Sequence, residues 1–328
     1  MLVCVELFTA FVWTSFAAAV VSMSLYALLV VAILRGRRSD DRLRSSFFTL
    51  CLALAVADFE TCLHQWLLSR PRFAGLLFEF YALFDPFLTK LLMALAFQMG
   101  LTQAGGLLAL SVNRFTAFFW PETYEKMWTR SRLGWVIALS WVLPAVAFVV
   151  PTFALGEYRF ERDNASGAVL LRQDLEPYTA YLMLVYTLLV AAANALSMAL
   201  YVAMALRMRA MTRTGRQWAR VDVKLAVCSC LLTLFSAAYV THMLVVAFLL
   251  GNQFTSLLVA ILYLSMDLLT FFNPYALLAF SSAARLQVGA LLRCRSAAGG
   301  VDQQAVVLVR GATTTASAPA PKPKAATA

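Results

Sequence analysis

Asp58, Glu60, His64, Lys90, His242 and Asp267 are ionisable side chains that lie inside long apolar stretches of the chain. A charge in hydrocarbon costs about 2.5 to 3.5 kcal/mol on insertion scales, so such groups should face a protein interior or trapped water. Asp58 and Asp267 lie deepest in their stretches, whereas Glu60, His64 and Lys90 lie near the outer ends. Tyr263, Asp267, Thr270 and Pro274 recur at i, i+4, i+7 and i+11 and share one helical stripe. Phe235, Tyr239 and His242 repeat at i, i+4 and i+7, and Gln98 shares a face with Thr102, with Lys90 two turns above it. A few directional groups on apolar helices suit the recognition of a small molecule, with Lys90, Gln98, Tyr239, His242 and Asp267 as the candidate contacts. An equal reading is that Gln98, Tyr239 and His242 only bond neighbouring helices. Lys90 and Asp267 are also a candidate ion pair.

Nothing in the same stretches suits catalysis. The two histidines lie on different stretches, metal-ligand pairs at helical spacing are absent, and so is a phosphate-binding glycine motif. The expectation is therefore no enzyme, no cofactor and no metal site. Gly100, Gly105 and Gly106 read as close-packing points. Ser111-Val112-Asn113-Arg114-Phe115 closes the third stretch, where Arg114 either anchors to headgroups or pairs with an acid beneath its neighbours. Asp222 is the acid nominated.

The elements that must position these groups are seven apolar runs, at about 8–34, 45–68, 87–118, 133–155, 178–206, 223–250 and 254–280. Each can span a bilayer, which takes roughly 20 residues as a helix. The 62% hydrophobic and 13% charged composition and mean hydropathy of +0.76 agree. The expected fold is an all-α membrane protein, a seven-helix bundle over residues 1–295 with a disordered cytoplasmic tail at 296–328. Of the 27 Lys and Arg, all but Arg70, Arg72, Lys90, Arg159, Arg162 and Arg172 fall on one side, which puts the N-terminus outside and the C-terminus inside. The glycosylation triplet at Asn164 then lies in the longest external loop. The first run reads as a signal anchor, and the net charge of +10 needs anionic lipid but no nucleic acid. Six cysteines show no disulfide framework, though a Cys4 to Cys62 bridge stays open, and Cys294 reads either as a palmitoylation site or as a free thiol. Asp85-Pro86 and Glu176-Pro177 mark helix starts, and Pro144, Pro151 and Pro274 weaken later spans.

Leu54-Ala55-Val56-Ala57-Asp58, Asn113-Arg114-Phe115, Trp141 and Asn273-Pro274 together resemble the signatures of the seven-helix G-protein-coupled receptors. Asn113 to Ala117 followed by Pro121, Tyr124, Lys126 and Trp128, with Asp267-Leu268-Leu269 and Pro274-Tyr275, is similar to the nematode serpentine chemoreceptors of the gamma and V classes. The resemblance implies a chemosensory receptor in the plasma membrane, in a sensory neuron's cilium, that binds a small molecule and engages a heterotrimeric G protein, as monomer or oligomer. It implies that Asp58, Asn113, Arg114, Asn273, Pro274 and Tyr275 link the ligand to the cytoplasmic face. Departures are Asn113 in place of an acid, Leu277 where a tyrosine is expected, a sixth span without proline, and no external disulfide. Gln103 and Leu269 replace the residues with which Asp58 would hold sodium. The rival readings are a seven-helix transporter or ligand-gated channel, and a non-signalling co-receptor.

Overall fold

A computed structural model describes residues 2–73, 78–155, 158–162, 169–173, 177–212, 220–244 and 256–297. The long helices are α1 (Leu2–Gly36), α2 (Ser46–Leu63), α3 (Phe87–Phe119), α4 (Arg130–Pro144), α5 (Pro177–Thr212), α6 (Arg220–Leu244) and α7 (Ser256–Phe280), followed by α8 (Ser282–Ala297). The seven apolar runs thus become seven helices. Two strands, β1 (Tyr158–Arg162) and β2 (Val169–Gln173), pair antiparallel in the loop between α4 and α5, an addition to the all-helical expectation. Asn164, the tail beyond residue 297, and the side chains of Cys4, Asp222 and Cys294 lie outside the described residues.

The helix α3 is the axis of the bundle and packs on α2, α4, α5 and α6, while α1 packs on α2, α7 and α8. Leu63, Leu67, Val142, Val146, Leu188 and Val202 are exposed on the outside, the apolar belt that lipid contact requires. Five of the helices are long and apolar enough to cross a membrane over their described residues alone.

Two spans contain a π-helical segment, His64–Ser69 after α2 and Ala145–Val149 after α4. Each ends two residues before a proline, Pro71 or Pro151. Proline offers no N–H and its ring crowds the carbonyl four residues back, so the backbone ahead of it slips to a wider turn. The Arg70 N–H accordingly bonds the Gln65 carbonyl, five residues back. The Tyr81 hydroxyl donates to the nearby Leu68 carbonyl at 2.8 Å.

At the other end the chain bends by 94° between α7 and α8. Arg285 Nη1 donates to the Leu278 and Ala279 carbonyls at 2.6 Å, closing the end of α7. The Ser281 hydroxyl accepts the Ala284 N–H at 3.2 Å and caps α8. Gly36 lets α8 approach α1, because a Cβ there would stand 2.7 Å from the Gln287 side chain. In the loop between α1 and α2 Asp40 caps a short 3-10 turn, and hydrogen bonds from Arg42 hold its carboxyl below the ordinary carboxylate range.

Candidate functional site

The polar groups within the bundle form three layers, named outer, middle and inner by their distance from α8, which lies at the inner end. In the outermost, Arg70 Nη2 donates to Asp267 Oδ1 at 2.5 Å, joining α2's extension to α7. The Arg70 side chain is only 2% exposed and that of Asp267 10%. Its guanidinium carbon lies 3.8 Å from the Trp66 ring centroid and 4.8 Å from that of Tyr263, a cation enclosed between two π faces. The π segment explains how Arg70 reaches the interior. Residues as far apart as Asp58 and Arg70 diverge by about 120° around a regular helix, and one added residue in a wide turn reduces this to about 20°.

The ion pair corrects the expected Lys90 to Asp267 pairing. Lys90 Nζ instead donates to the Phe153 carbonyl at 3.2 Å, near the outer end of the fourth span. Gln98 is buried and hydrogen-bonded to Glu60. Tyr239 bonds Tyr186 of α5 within an apolar cluster that includes Phe97 and Phe148, and His242 is half-buried on α6. Lys90, Gln98, Tyr239 and Asp267 therefore engage separate partners rather than one shared constellation. Tyr186 owes its place to Gly100, where a Cβ would collide with the tyrosine hydroxyl.

The middle layer surrounds Asp58. Its Oδ2 accepts from the Tyr26 hydroxyl at 2.8 Å and from Asn273 Nδ2 at 2.9 Å, and its Oδ1 accepts from Gln103 Nε2 at 2.8 Å. Asn273 Nδ2 also approaches the Tyr26 hydroxyl at 2.6 Å. All four side chains are buried, so one carboxylate joins α1, α2, α3 and α7, with a protein donor on each of its oxygens. Gln103 thus supplies a hydrogen bond at the position where the receptor resemblance would look for a sodium ligand.

The inner layer forms at Arg114. Its Nη2 donates to Asn113 Oδ1 at 2.9 Å, and its guanidinium carbon lies 4.2 Å from the Phe47 ring centroid. Asn113 Nδ2 donates to the Ser46 hydroxyl at 2.9 Å, and the Tyr124 hydroxyl donates to Asn113 Oδ1 at 3.1 Å. Trp128 Nε1 donates to the Thr116 hydroxyl at 2.8 Å. The loop residues Tyr124 and Trp128 are thus fastened to α3. An amide does here what an aspartate alone would not, accepting from Arg114 while donating to Ser46. Ser111 bonds the Tyr201 hydroxyl of α5 at 3.0 Å, and Tyr201 also bonds Ser229 of α6. A cavity of about 370 Å³ opens beside Arg114, lined also by Arg42, Ser45, Pro121, Tyr124 and Ser281. A second, of about 450 Å³, lies between α2 and α3 against exposed Leu63 and Leu67, on the lipid side. Neither is lined by Asp267.

Tyr275 is 42% exposed and bonds Ser22 of α1 at 3.1 Å, so it turns away from the bundle centre. Leu277 is buried among the core residues of α1 and α2 and packs as an apolar side chain. Pro274 is buried within α7. Arg70, which by sequence falls in an external loop, joins Trp66, Tyr186, Tyr26 and Tyr201 as residues that the structure adds to these layers. Pro71 was the available signal for Arg70, since a proline just inside a span perturbs helical register.

A seven-helix bundle bent into a terminal α8, with a buried acid on α2, an arginine at the inner end of α3 and Asn-Pro in α7, defines a multi-pass membrane receptor of the G-protein-coupled type. Over residues 15–294 the chain matches the family described as serpentine type 7TM GPCR chemoreceptor Srv, and it belongs to that family. It is similar to serpentine receptor class V-1 of Caenorhabditis elegans, 27% identical over 145 residues, 44% of this chain and 46% of that one. The match thus spans a little under half the length of that relative. Squid rhodopsin shares the fold, with a TM-score of 0.69, 14% identity, and coverage of 96% of this chain and 93% of that one.

Proposed function

We propose that this protein is a chemosensory receptor of the plasma membrane, placed in the cilium of a sensory neuron. A small molecule binds among the outer ends of α2, α3, α6 and α7, and a heterotrimeric G protein binds at the inner face beside Arg114. The observation that carries the reading is that α7 belongs to both the outer and the middle polar layers, through Asp267 and Asn273. A ligand acts only by binding one conformer better than another. A molecule that rearranges the contacts of Asp267 moves the helix that also bonds Asp58, and Asp58 joins α2 and α3, whose inner ends hold Ser46 and Arg114. About 1 to 3 kcal/mol of coupling is enough for graded signalling.

The test is a screen of odorants and metabolites in cells that carry or lack heterotrimeric G proteins. A ligand-evoked response that requires the G protein, and that disappears in Arg114→Ala at matched surface expression, supports the reading. A ligand-evoked current that persists without G proteins assigns the chain to the channels instead. A response unaffected by Arg114→Ala removes the inner site from the account.

A further inference from the structure

Among the described residues, Arg70 holds buried N–H groups with no hydrogen-bond partner. Only Nη2 meets Asp267, while Nε and Nη1 are buried without a hydrogen-bond partner. Trp66 Nε1, on the preceding turn, is a third buried donor left unpaired. Gln65 Oε1 is an unpaired acceptor in the same turn, and neither oxygen of Asp267 is a fully buried unpaired atom. The surplus is therefore in donors, and it is centred on a cation that is 2% exposed. Leaving a buried charged donor unmade costs more than the net gain of a typical bond, so such a site favours an incoming acceptor.

We infer that Arg70 is the ligand-recognising charge of this receptor, and that it takes the carboxylate of a small monocarboxylic acid in exchange for Asp267. This inference rests on the reading of the bundle's outer half as a ligand site, and it names the class of ligand. A guanidinium matches a carboxylate in shape and in donor direction. The rings of Trp66 and Tyr263, which close over the guanidinium, give such a ligand an apolar and aromatic surround. Because those rings and Asp267 already enclose the cation, the ligand's carboxylate replaces the Asp267 carboxylate instead of joining it. The exchange keeps one carboxylate on Arg70, releases α7 from α2, and leaves the displaced Asp267 carboxylate to take up a proton or water.

Exchange makes the two partners act with opposite sign. Asp267→Asn removes the internal competitor and strengthens carboxylate binding, whereas Arg70→Gln abolishes it. A purely structural pair behaves otherwise, since loss of either member then weakens the protein and its binding alike.

The experiment is thermal stabilisation of the full chain, purified in detergent, by a panel of aliphatic and aromatic monocarboxylates, each run beside its methyl ester and the corresponding primary amine. Wild type is expected to be stabilised by at least one carboxylate and by none of the esters or amines. The half-saturating concentration should fall at least tenfold in Asp267→Asn, and stabilisation should vanish in Arg70→Gln. Arg70→Lys, which keeps the charge but loses the planar donor fork, should need at least tenfold more ligand, and it stands in for Arg70→Gln if that variant fails to fold. Absence of stabilisation by any carboxylate overturns the inference, as does stabilisation by amines with the two variants exchanging roles. The assay contains no G protein, so its failure is separate from failure of the signalling reading: amine- or ester-evoked signalling through Arg114 would leave a receptor standing with a different ligand class.

Discussion

Arg70 and Asp267 stabilise the resting bundle only as long as both are present. A charge left alone in this setting costs about 3 to 5 kcal/mol. Asp267→Ala is therefore expected to lower the unfolding free energy by that amount, with Arg70→Met in the same chain recovering most of it, as measured by thermal or denaturant unfolding in detergent. At Gly100 the quantity at stake is space. Gly100→Ala places a methyl group on the Tyr186 hydroxyl and is expected to cost about 1 to 3 kcal/mol, while Tyr186→Phe combined with it should lose less than the two changes summed. The same melts check it. Around Asp58, Asn273→Ala removes a donor to a buried carboxylate and should cost about 1 to 3 kcal/mol. The sequence already marked Asp58, Asn113, Arg114, Asn273 and Asp267 as special, because a polar group in an apolar run must have a reason. It did not reveal their partners. Tyr26, Tyr186 and Tyr201 are compatible with any membrane helix face, and only the packing shows that their hydroxyls end on Asp58, Tyr239 and Ser111.

The presence and order of the helices follow from hydropathy, which measures how much chain hydrocarbon accepts, while their ends shift by several residues: the run expected at 87–118 forms Phe87–Phe119, whereas that at 178–206 lies within the longer Pro177–Thr212. Helical register was not legible. A regular helix turns Arg70 away from the Asp58 face, and only the wide turn ahead of Pro71 returns it. By sequence Arg70 lies beyond the run that ends at 68 and so reads as an external-loop charge. Pro71→Ala restores the missing N–H and lets the segment close into regular α-helix. The expected outcome is that the Arg70 to Asp267 coupling energy, measured by a double-mutant cycle, falls toward zero in the Pro71→Ala background while remaining about 0.5 to 3 kcal/mol in wild type. The bend into α8 was likewise not foreseen. It depends on Ser281 and Arg285 capping two helix ends, a local arrangement that apolar content does not encode.

Across the whole molecule the three polar layers are connected by shared helices, α7 between the outer and middle layers and α2 and α3 between the middle and inner ones. The departures from the receptor pattern acquire physical meaning at this scale. Asn113 offers Arg114 an uncharged acceptor where an acid would form an ion pair, and Leu277 packs as an apolar side chain where a tyrosine is expected. Hydrogen bonds through Ser46, Tyr124, Ser111, Tyr201 and Ser229 tie α2, α3, α5 and α6 together at that end instead. In this account the outer ion pair holds the resting conformer, so breaking it shifts the population even without ligand; each 1.4 kcal/mol is worth a factor of ten in that equilibrium. The direct measurement is basal nucleotide exchange on a panel of heterotrimeric G proteins by membranes carrying wild type, Asp267→Asn, and Asp267→Asn with Arg114→Ala, at matched surface expression. The account predicts that Asp267→Asn raises exchange on at least one G protein several-fold and that Arg114→Ala returns it to background. Exchange that is identical in all three, on every G protein of the panel, would contradict the coupling of the outer pair to the inner face.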